Sequence, residues 1–211
     1  MIDEIETLVG REWLNSAGVI FTALQAAYAE TERILIDNPL LRHRNQANIQ
    51  GQLRYFLSAT VLDHCVEQGR IPGITSTWVS QGCEILVLKS SSFEVQLAHT
   101  PAPDQKPKMS QRRELATVSN QLLLEGILPE KKSSSQEALM QLFLLHGNKN
   151  LNFVNLACPD SLDREASYVY LSPNFATMPR AMSDLDVEEV QEALPKLSKE
   201  IIERLRAASN E

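Results

Sequence analysis

Two short runs of apolar and β-branched residues flank three consecutive serines, and this feature constrains the fold most strongly. The runs cover residues 83–89 and 93–99, and the serines occupy positions 90–92. Apolar residues alternate with polar or small ones in the second run, which is typical of a strand with one buried face. The first run is apolar at all its central positions, as in an interior strand covered on both faces. The pattern predicts a β-hairpin that serves as the scaffold of a sheet.

The residues before the hairpin predict helices. From residue 2 to residue 35 apolar residues recur with a period of roughly 3.6, and a break is expected near residue 15. The pair Asn38–Pro39 is typical of a helix start, because the asparagine caps the helix and proline suits its first position. Gly69 then marks the expected end of this second helix.

The residues after the first helices indicate strands with one further helix. Residues 74–79 are rich in β-branched side chains, which favours a strand. Residues 110–126 predict a helix whose inward side chains are Leu115, Val118, Leu122 and Leu123.

The segment 138–146 fits either a helix or a strand. We favour a strand in a second hairpin, because Gly147 and Asn148 separate it from the apolar run 151–156 and tolerate positive φ angles. Residues 167–171 form another strand candidate.

These elements predict an α+β fold with a central, mostly antiparallel sheet of about five strands. N-terminal helices, a middle helix and a C-terminal amphipathic helix are expected to flank the sheet. We expect one domain over residues 1–182, helical over 1–71 and sheet-containing over 72–182. Residues 183–211 form an appended helical element, because apolar residues recur along it as a stripe.

Composition excludes several classes of protein. The chain has 211 residues, of which 43% are hydrophobic, so it can bury a sizeable core. No apolar run reaches the roughly 18 residues that span a bilayer, and the acidic start is unlike a signal peptide. We therefore expect a cytoplasmic protein with no membrane contact. The net charge of −7 disfavours a dedicated nucleic-acid-binding protein.

The cysteines and histidines show none of the paired short spacings that are typical of zinc sites. Three widely spaced cysteines also make a disulfide framework improbable and favour reduced, buried thiols. Neither a zinc site nor a thiol nucleophile is expected from the residues concerned, which are His64, Cys65, Cys83, His99, His146 and Cys158. His99 and His146 each end an apolar run, where a histidine usually caps a strand or forms a hydrogen bond with a loop. Phosphate-binding glycine motifs are absent as well, so we expect no cofactor.

The hairpin carries the sharpest enzymatic hypothesis. Its segment Glu94–Val95–Gln96 resembles the E-x-Q variant of the metal-dependent PD-(D/E)xK nucleases, which place acidic residues and a lysine or glutamine on a hairpin beside a helix. The resemblance covers about 35 residues. It implies that Glu84 is the preceding acid, that Asp63 or Glu67 comes from the helix, and that Mg²⁺ is the cofactor.

The expected strand pairing does not favour this metal site. A three-residue loop over 90–92 would pair Lys89 with Phe93 and put Glu84 and Glu94 on one face, four positions apart. That separation is about 13 Å at roughly 3.3 Å per residue. One Mg²⁺ needs both carboxylates at about 2.0–2.1 Å, so only a bulge or a different turn would build the site.

Six basic residues form the binding candidates. They lie near the start of the second helix and in and after the proline-rich segment 100–108, where they would contact phosphates or an acidic partner. They would equally well neutralise the acidic terminal helices, so nucleic-acid contact is not favoured. The six are Arg42, Arg44, Lys106, Lys108, Arg112 and Arg113.

The sequence supports two functional hypotheses. The first is a non-catalytic interaction or regulatory subunit of a larger intracellular assembly of bacterial or phage type. In it, the helix over 183–211 binds a protein partner or a second copy, unless it packs on the protein's own core. The second is the Mg²⁺-dependent nuclease, with Asp63, Glu84, Glu94 and Gln96 as its candidate residues.

Overall fold

The computed structural model describes residues 2–38, 46–80, 84–108, 110–124, 139–147, 150–159 and 168–178. In these ranges the chain forms four helices and one six-stranded sheet, which is an α+β fold. The helices are α1 (Ile2–Glu12), α2 (Ala17–Asp37), α3 (Gln46–Glu67) and α4 (Gln111–Leu124). The strands are β1 (Thr75–Ser80), β2 (Glu84–Lys89), β3 (Phe93–Thr100), β4 (Met140–Gly147), β5 (Phe153–Pro159) and β6 (Tyr168–Leu171).

The strands lie in the sheet in the order in which they occur along the chain. All neighbours are antiparallel except β3 and β4, which are parallel. A parallel pair needs a crossover, and the connection that contains α4 provides it. The sheet is therefore mixed but mostly antiparallel, as predicted, and it has six strands where about five were predicted. The hairpin between β4 and β5 is confirmed.

Two hydrophobic clusters cover the two faces of the sheet. The larger one joins α1, α2 and α3 to one face and includes Trp13, Leu24, Leu57, Leu97 and Leu144. The smaller one lies on the other face under α4 and includes Ala98, Ala116, Phe143, Leu145, Phe153 and Ala157. Alternate residues of β3 and β4 thus enter different clusters, as the pleat of a strand requires.

The break between α1 and α2 and the end of α3 are found where they were predicted, whereas the helix start predicted at Asn38–Pro39 runs into residues 39–45, outside the described residues. A 3₁₀ turn at Leu14–Ser16 separates α1 from α2, and the side chain of Trp13 beside it is fully buried. Gly69, just after α3, has a φ of 69°, a left-handed conformation that glycine adopts without steric cost. None of the helices in the described ranges is long and apolar enough to cross a membrane.

The orientation predicted for α4 was wrong. Leu115 and Val118 are 63% and 37% exposed, whereas Ala116, Thr117 and Asn120 are buried. The side chain of Asn120 enters the interior because its Nδ2 donates to the backbone carbonyl of Gln141 at 2.6 Å and its Oδ1 accepts from the amide of Gln141 at 2.8 Å. A polar side chain that satisfies both its groups can face the sheet, and an apolar pattern does not reveal this.

The side chains of Leu122 and Leu123, the other two residues predicted to face inward, lie outside the described residues. So do residues 183–211, where the C-terminal helix was predicted.

The predicted register of the first hairpin was wrong by one residue. Lys89 pairs with Glu94 and not with Phe93, and the two charged side chains form an ion pair at 2.7 Å. The turn closes with the amide of Ser90 donating to the carbonyl of Phe93 at 2.9 Å. A slip of one residue changes which side chains share a face, so Glu84 and Glu94 lie on opposite faces of the sheet.

Candidate functional site

Two histidines stand side by side at the carboxyl ends of the parallel strands. His99 is the second-last residue of β3, His146 the second-last residue of β4, and the two are register partners. Their ring centroids lie 5.8 Å apart, and both project to the face covered by α2 and α3. His146 is 1% exposed, whereas His99 reaches the surface. In sheets with parallel strands, ligands commonly bind outside the carboxyl ends of those strands.

Helices α2 and α3 each add a polar side chain to this pair. The hydroxyl of Tyr28, from α2, is hydrogen-bonded to Nδ1 of His146 at 2.9 Å. The guanidinium of Arg54, from α3, lies 4.8 Å from the centroid of the Tyr28 ring, which is a cation–π contact. Both residues are buried, at 4% and 8% exposure. We call Tyr28, Arg54, His99 and His146 the histidine cluster.

The carboxylate of Glu32 borders the histidine cluster. A terminal nitrogen of Arg54 lies 2.7 Å from Oε1 of Glu32, and Gln50 donates to the same oxygen at 2.6 Å. The side chain of Glu32 is 44% exposed and that of Arg54 only 10%. The ion pair therefore runs from the buried interior to the solvent, and Glu32 forms its outer end.

Burial favours the uncharged forms of the two histidines and of Tyr28. Burial, and then the charges of His99, Arg113 and Arg54, lower the pKa of His146 to about 3. Burial, with a smaller effect of Arg54, also lowers the pKa of His99. Burial raises the pKa of Tyr28 to about 12, although Arg54 opposes this. Near neutral pH, His146 is therefore an uncharged imidazole and Tyr28 an uncharged phenol.

The hydrogen bond between Tyr28 and His146 fixes the position of the remaining imidazole proton. If the phenol donates to Nδ1, the proton sits on Nε2 and only this N–H needs a further partner. If Nδ1 donates to the phenol oxygen instead, the phenol hydrogen needs an acceptor and the lone pair of Nε2 needs a donor. The first arrangement leaves fewer buried groups unsatisfied and is favoured. Nε2 of His146 is then a buried donor for which the described residues provide no acceptor.

Next to the cluster, β2 and β3 separate. The two strands pair only over Val87–Lys89 and Gln96–Glu94, so Leu86 and Leu97 do not pair with each other. Side chains bind these backbone groups instead. The amide of Leu86 donates to the Tyr55 hydroxyl at 3.2 Å, and Arg113, from α4, donates to the carbonyl of Leu97 at 3.1 Å. Burial lowers the pKa of Arg113, and its charge contributes to the lowered pKa of His146.

The structure divides the proposed nuclease residues between separate places. Glu94 pairs with Lys89 and accepts from Gln141 at 3.0 Å, and the buried Gln96 donates to the same Gln141 at 3.5 Å. Glu94 and Gln96 are thus together on the face of α4. Glu84 is exposed at the start of β2 and belongs to the other face.

Asp63 and Glu67, the acidic residues proposed from the helix, lie on α3, and Asp63 is hydrogen-bonded to another side chain. Asp63 accepts a hydrogen bond at 2.6 Å from Nε1 of Trp78, and Glu67 is exposed at the end of α3. Over the ranges described, no three or more His, Cys, Asp or Glu side chains are grouped so that they could hold a metal ion.

The predicted basic residues are only partly described. Arg42, Arg44 and the side chain of Arg112 lie outside the described residues. Lys106 is half-buried, Lys108 is exposed, and the backbone carbonyl of Lys108 accepts from Arg113. Arg113 is therefore the described member of this set that extends toward the histidine cluster.

Tyr28, Arg54 and the pairing of the two histidines were not predicted. Each histidine ends an apolar run, and this was interpreted as a strand cap or a hydrogen bond with a loop. Parallel pairing of those two runs would have brought the histidines together, and no local signal in the sequence indicates it.

No protein family, no curated protein and no solved structure matches the chain.

Proposed function

We propose that this chain is a non-catalytic regulatory subunit that binds a ligand at the histidine cluster and acts within a larger assembly. One observation carries the proposal: Nε2 of the buried His146 has no hydrogen-bond partner among the described residues, and the favoured tautomer makes it a donor. A buried donor without a partner costs about 1–3 kcal/mol, and a bound ligand would remove that cost. The place of the cluster, at the carboxyl ends of two parallel strands, supports the same function.

The protonation states of the cluster favour recognition over catalysis. A general acid or base works best when its pKa is near the working pH. The pKa of His146 is about 3 and that of Tyr28 about 12, so neither exchanges a proton readily near neutral pH. The cluster instead offers fixed hydrogen-bond donors and the charge of Arg54. Such groups bind and orient a ligand without reacting with it.

A thermal-shift screen of the full chain tests the proposal. The panel contains nucleotides, sugar phosphates, dicarboxylates and neutral sugars. We expect one class to raise the melting temperature, because a ligand at one hundred times its dissociation constant stabilises the folded state by about 2.7 kcal/mol. With Arg54→Lys, about ten times more ligand should be needed for the same rise in melting temperature. With Arg11→Lys, at an exposed arginine, the rise should be unchanged.

Two results would overturn the proposal. One is a panel in which no compound raises the melting temperature, or in which both arginine variants respond equally. The other is cleavage of DNA or RNA that needs Mg²⁺ or Mn²⁺ and disappears in Glu94→Ala. That second result would establish the nuclease instead.

A further inference from the structure

The histidine cluster brings together polar side chains from several elements of the fold. Nε2 of His146 comes from β4, the guanidinium of Arg54 from α3, and the imidazole of His99 from β3. The positive charge of Arg113, from α4, is felt at His146 as well. Within the described ranges, the carboxylate of Glu32 forms an ion pair with Arg54. A chain with a net charge of −7 thus concentrates cationic and donor groups at one end of its parallel strands.

We propose that the group recognised by the histidine cluster is the phosphate of a small molecule, and that it displaces Glu32 from Arg54. This inference rests on the proposed function. The polar groups belong to separate elements, with His99 on β3, His146 on β4 and Arg54 on α3. A tetrahedral phosphate has oxygens to meet them, whereas a planar carboxylate has two oxygens in one plane. Arginine is also the side chain best suited to phosphate recognition.

The ion pair between Arg54 and Glu32 has the geometry of a competitor for this ligand. Glu32 is the exposed partner, so its carboxylate can turn into water once the phosphate takes its place on Arg54. Arg54 is held in place by burial and by its contact with the Tyr28 ring. A phosphate that enters beside His99 would therefore bind Arg54 in place of Glu32 and would accept a hydrogen bond from Nε2 of His146. The negative charge of Glu32 opposes that entry.

Titration calorimetry of the full chain with inorganic phosphate and with a nucleoside monophosphate tests the inference. Removing the competing charge with Glu32→Gln should tighten phosphate binding about tenfold, which corresponds to roughly 1.4 kcal/mol. The matched control is Asp37→Asn, which removes one negative charge from the same helix at a site paired with Arg33. It should change the affinity by less than about twofold.

Arg54→Lys should weaken binding about tenfold, because lysine lacks the planar fork of arginine. Circular dichroism of each variant establishes that it is folded. If a variant is not folded, imidazole chemical shifts in the wild-type protein provide the second readout. Phosphate should then move the signals of His99 and His146 while those of His64 stay in place.

The outcomes separate the inference from the proposed function. Binding of a dicarboxylate or a neutral sugar, with no response to phosphate, would overturn the inference and leave the proposed function standing. Equal tightening in Glu32→Gln and Asp37→Asn would show a general charge effect and would overturn the role of Glu32. The absence of binding by every compound of the panel would overturn both. If inorganic phosphate binds and the monophosphate does not, the ligand is the free ion and the phosphate of a larger molecule is contradicted.

Discussion

Replacing Gly147 by alanine is expected to lower the free energy of unfolding by about 3 kcal/mol or more. A Cβ at this position would lie 1.8 Å from the backbone oxygen of Thr100, the residue that pairs with Gly147 across the parallel strands. Backbone atoms cannot rotate away as a flexible side chain can. The strands must therefore separate at their carboxyl ends, beside His99 and His146. Urea unfolding followed by circular dichroism measures the loss.

Gly51→Ala is the matched control for this prediction. Gly51 is exposed within α3, and a Cβ there would have no atom within 4 Å. Because glycine weakens a helix interior, alanine should raise the free energy of unfolding by up to about 1 kcal/mol. Equal effects of the two substitutions, or a neutral Gly147→Ala, would contradict the close approach of β3 and β4.

His146 is expected to make the protein lose stability steeply in mild acid. The unfolded chain protonates this histidine below about pH 6.5, whereas the folded pKa is about 3 because burial and the neighbouring His99, Arg113 and Arg54 disfavour the charged form. Between these values the unfolded state binds one proton more. Stability therefore rises with pH through this window and falls as the pH is lowered from 6.5 toward 3.

One such histidine changes the free energy of unfolding by about 1.4 kcal/mol per pH unit, which amounts to about 3 kcal/mol between pH 6 and pH 3.5. Urea unfolding at several pH values measures it, and His146→Asn isolates it, because asparagine does not titrate and still offers an oxygen to Tyr28. The variant should be less stable near neutral pH but should lack this slope. Parallel pH profiles for the wild type and the variant would show that His146 is not held neutral.

Local chemistry made much of the fold predictable. The turn signals around Gly69 and the break between α1 and α2 depend on residues that are close in sequence, and both are found where they were predicted. The hairpin of β2 and β3 was predicted too, but its register depended on how Ser90 closes the turn. One residue of slip in that turn changed the face on which Glu84 lies.

Local sequence signals did not predict the histidine cluster. His99 and His146 come together because β3 and β4 pair in parallel, and that pairing depends on where the crossover through α4 returns the chain. Arg54 and Tyr28 join them because α2 and α3 pack on the same face. Each contact joins residues that are distant in sequence, so the hydrophobic period of any single element does not contain it. The buried Asn120 escaped prediction for a related reason, since its partners lie on β4 and β5.

Heteronuclear NMR of the imidazole nitrogens locates the proton of His146 directly. Near neutral pH we predict an uncharged ring with its proton on Nε2 and with Nδ1 accepting from Tyr28, and we predict that phosphate shifts the Nε2 signal. Tyr28→Phe should remove the preference for this tautomer. A doubly protonated ring, or a proton on Nδ1 with no response of Nε2 to any compound that binds, would contradict a ligand site built around this donor.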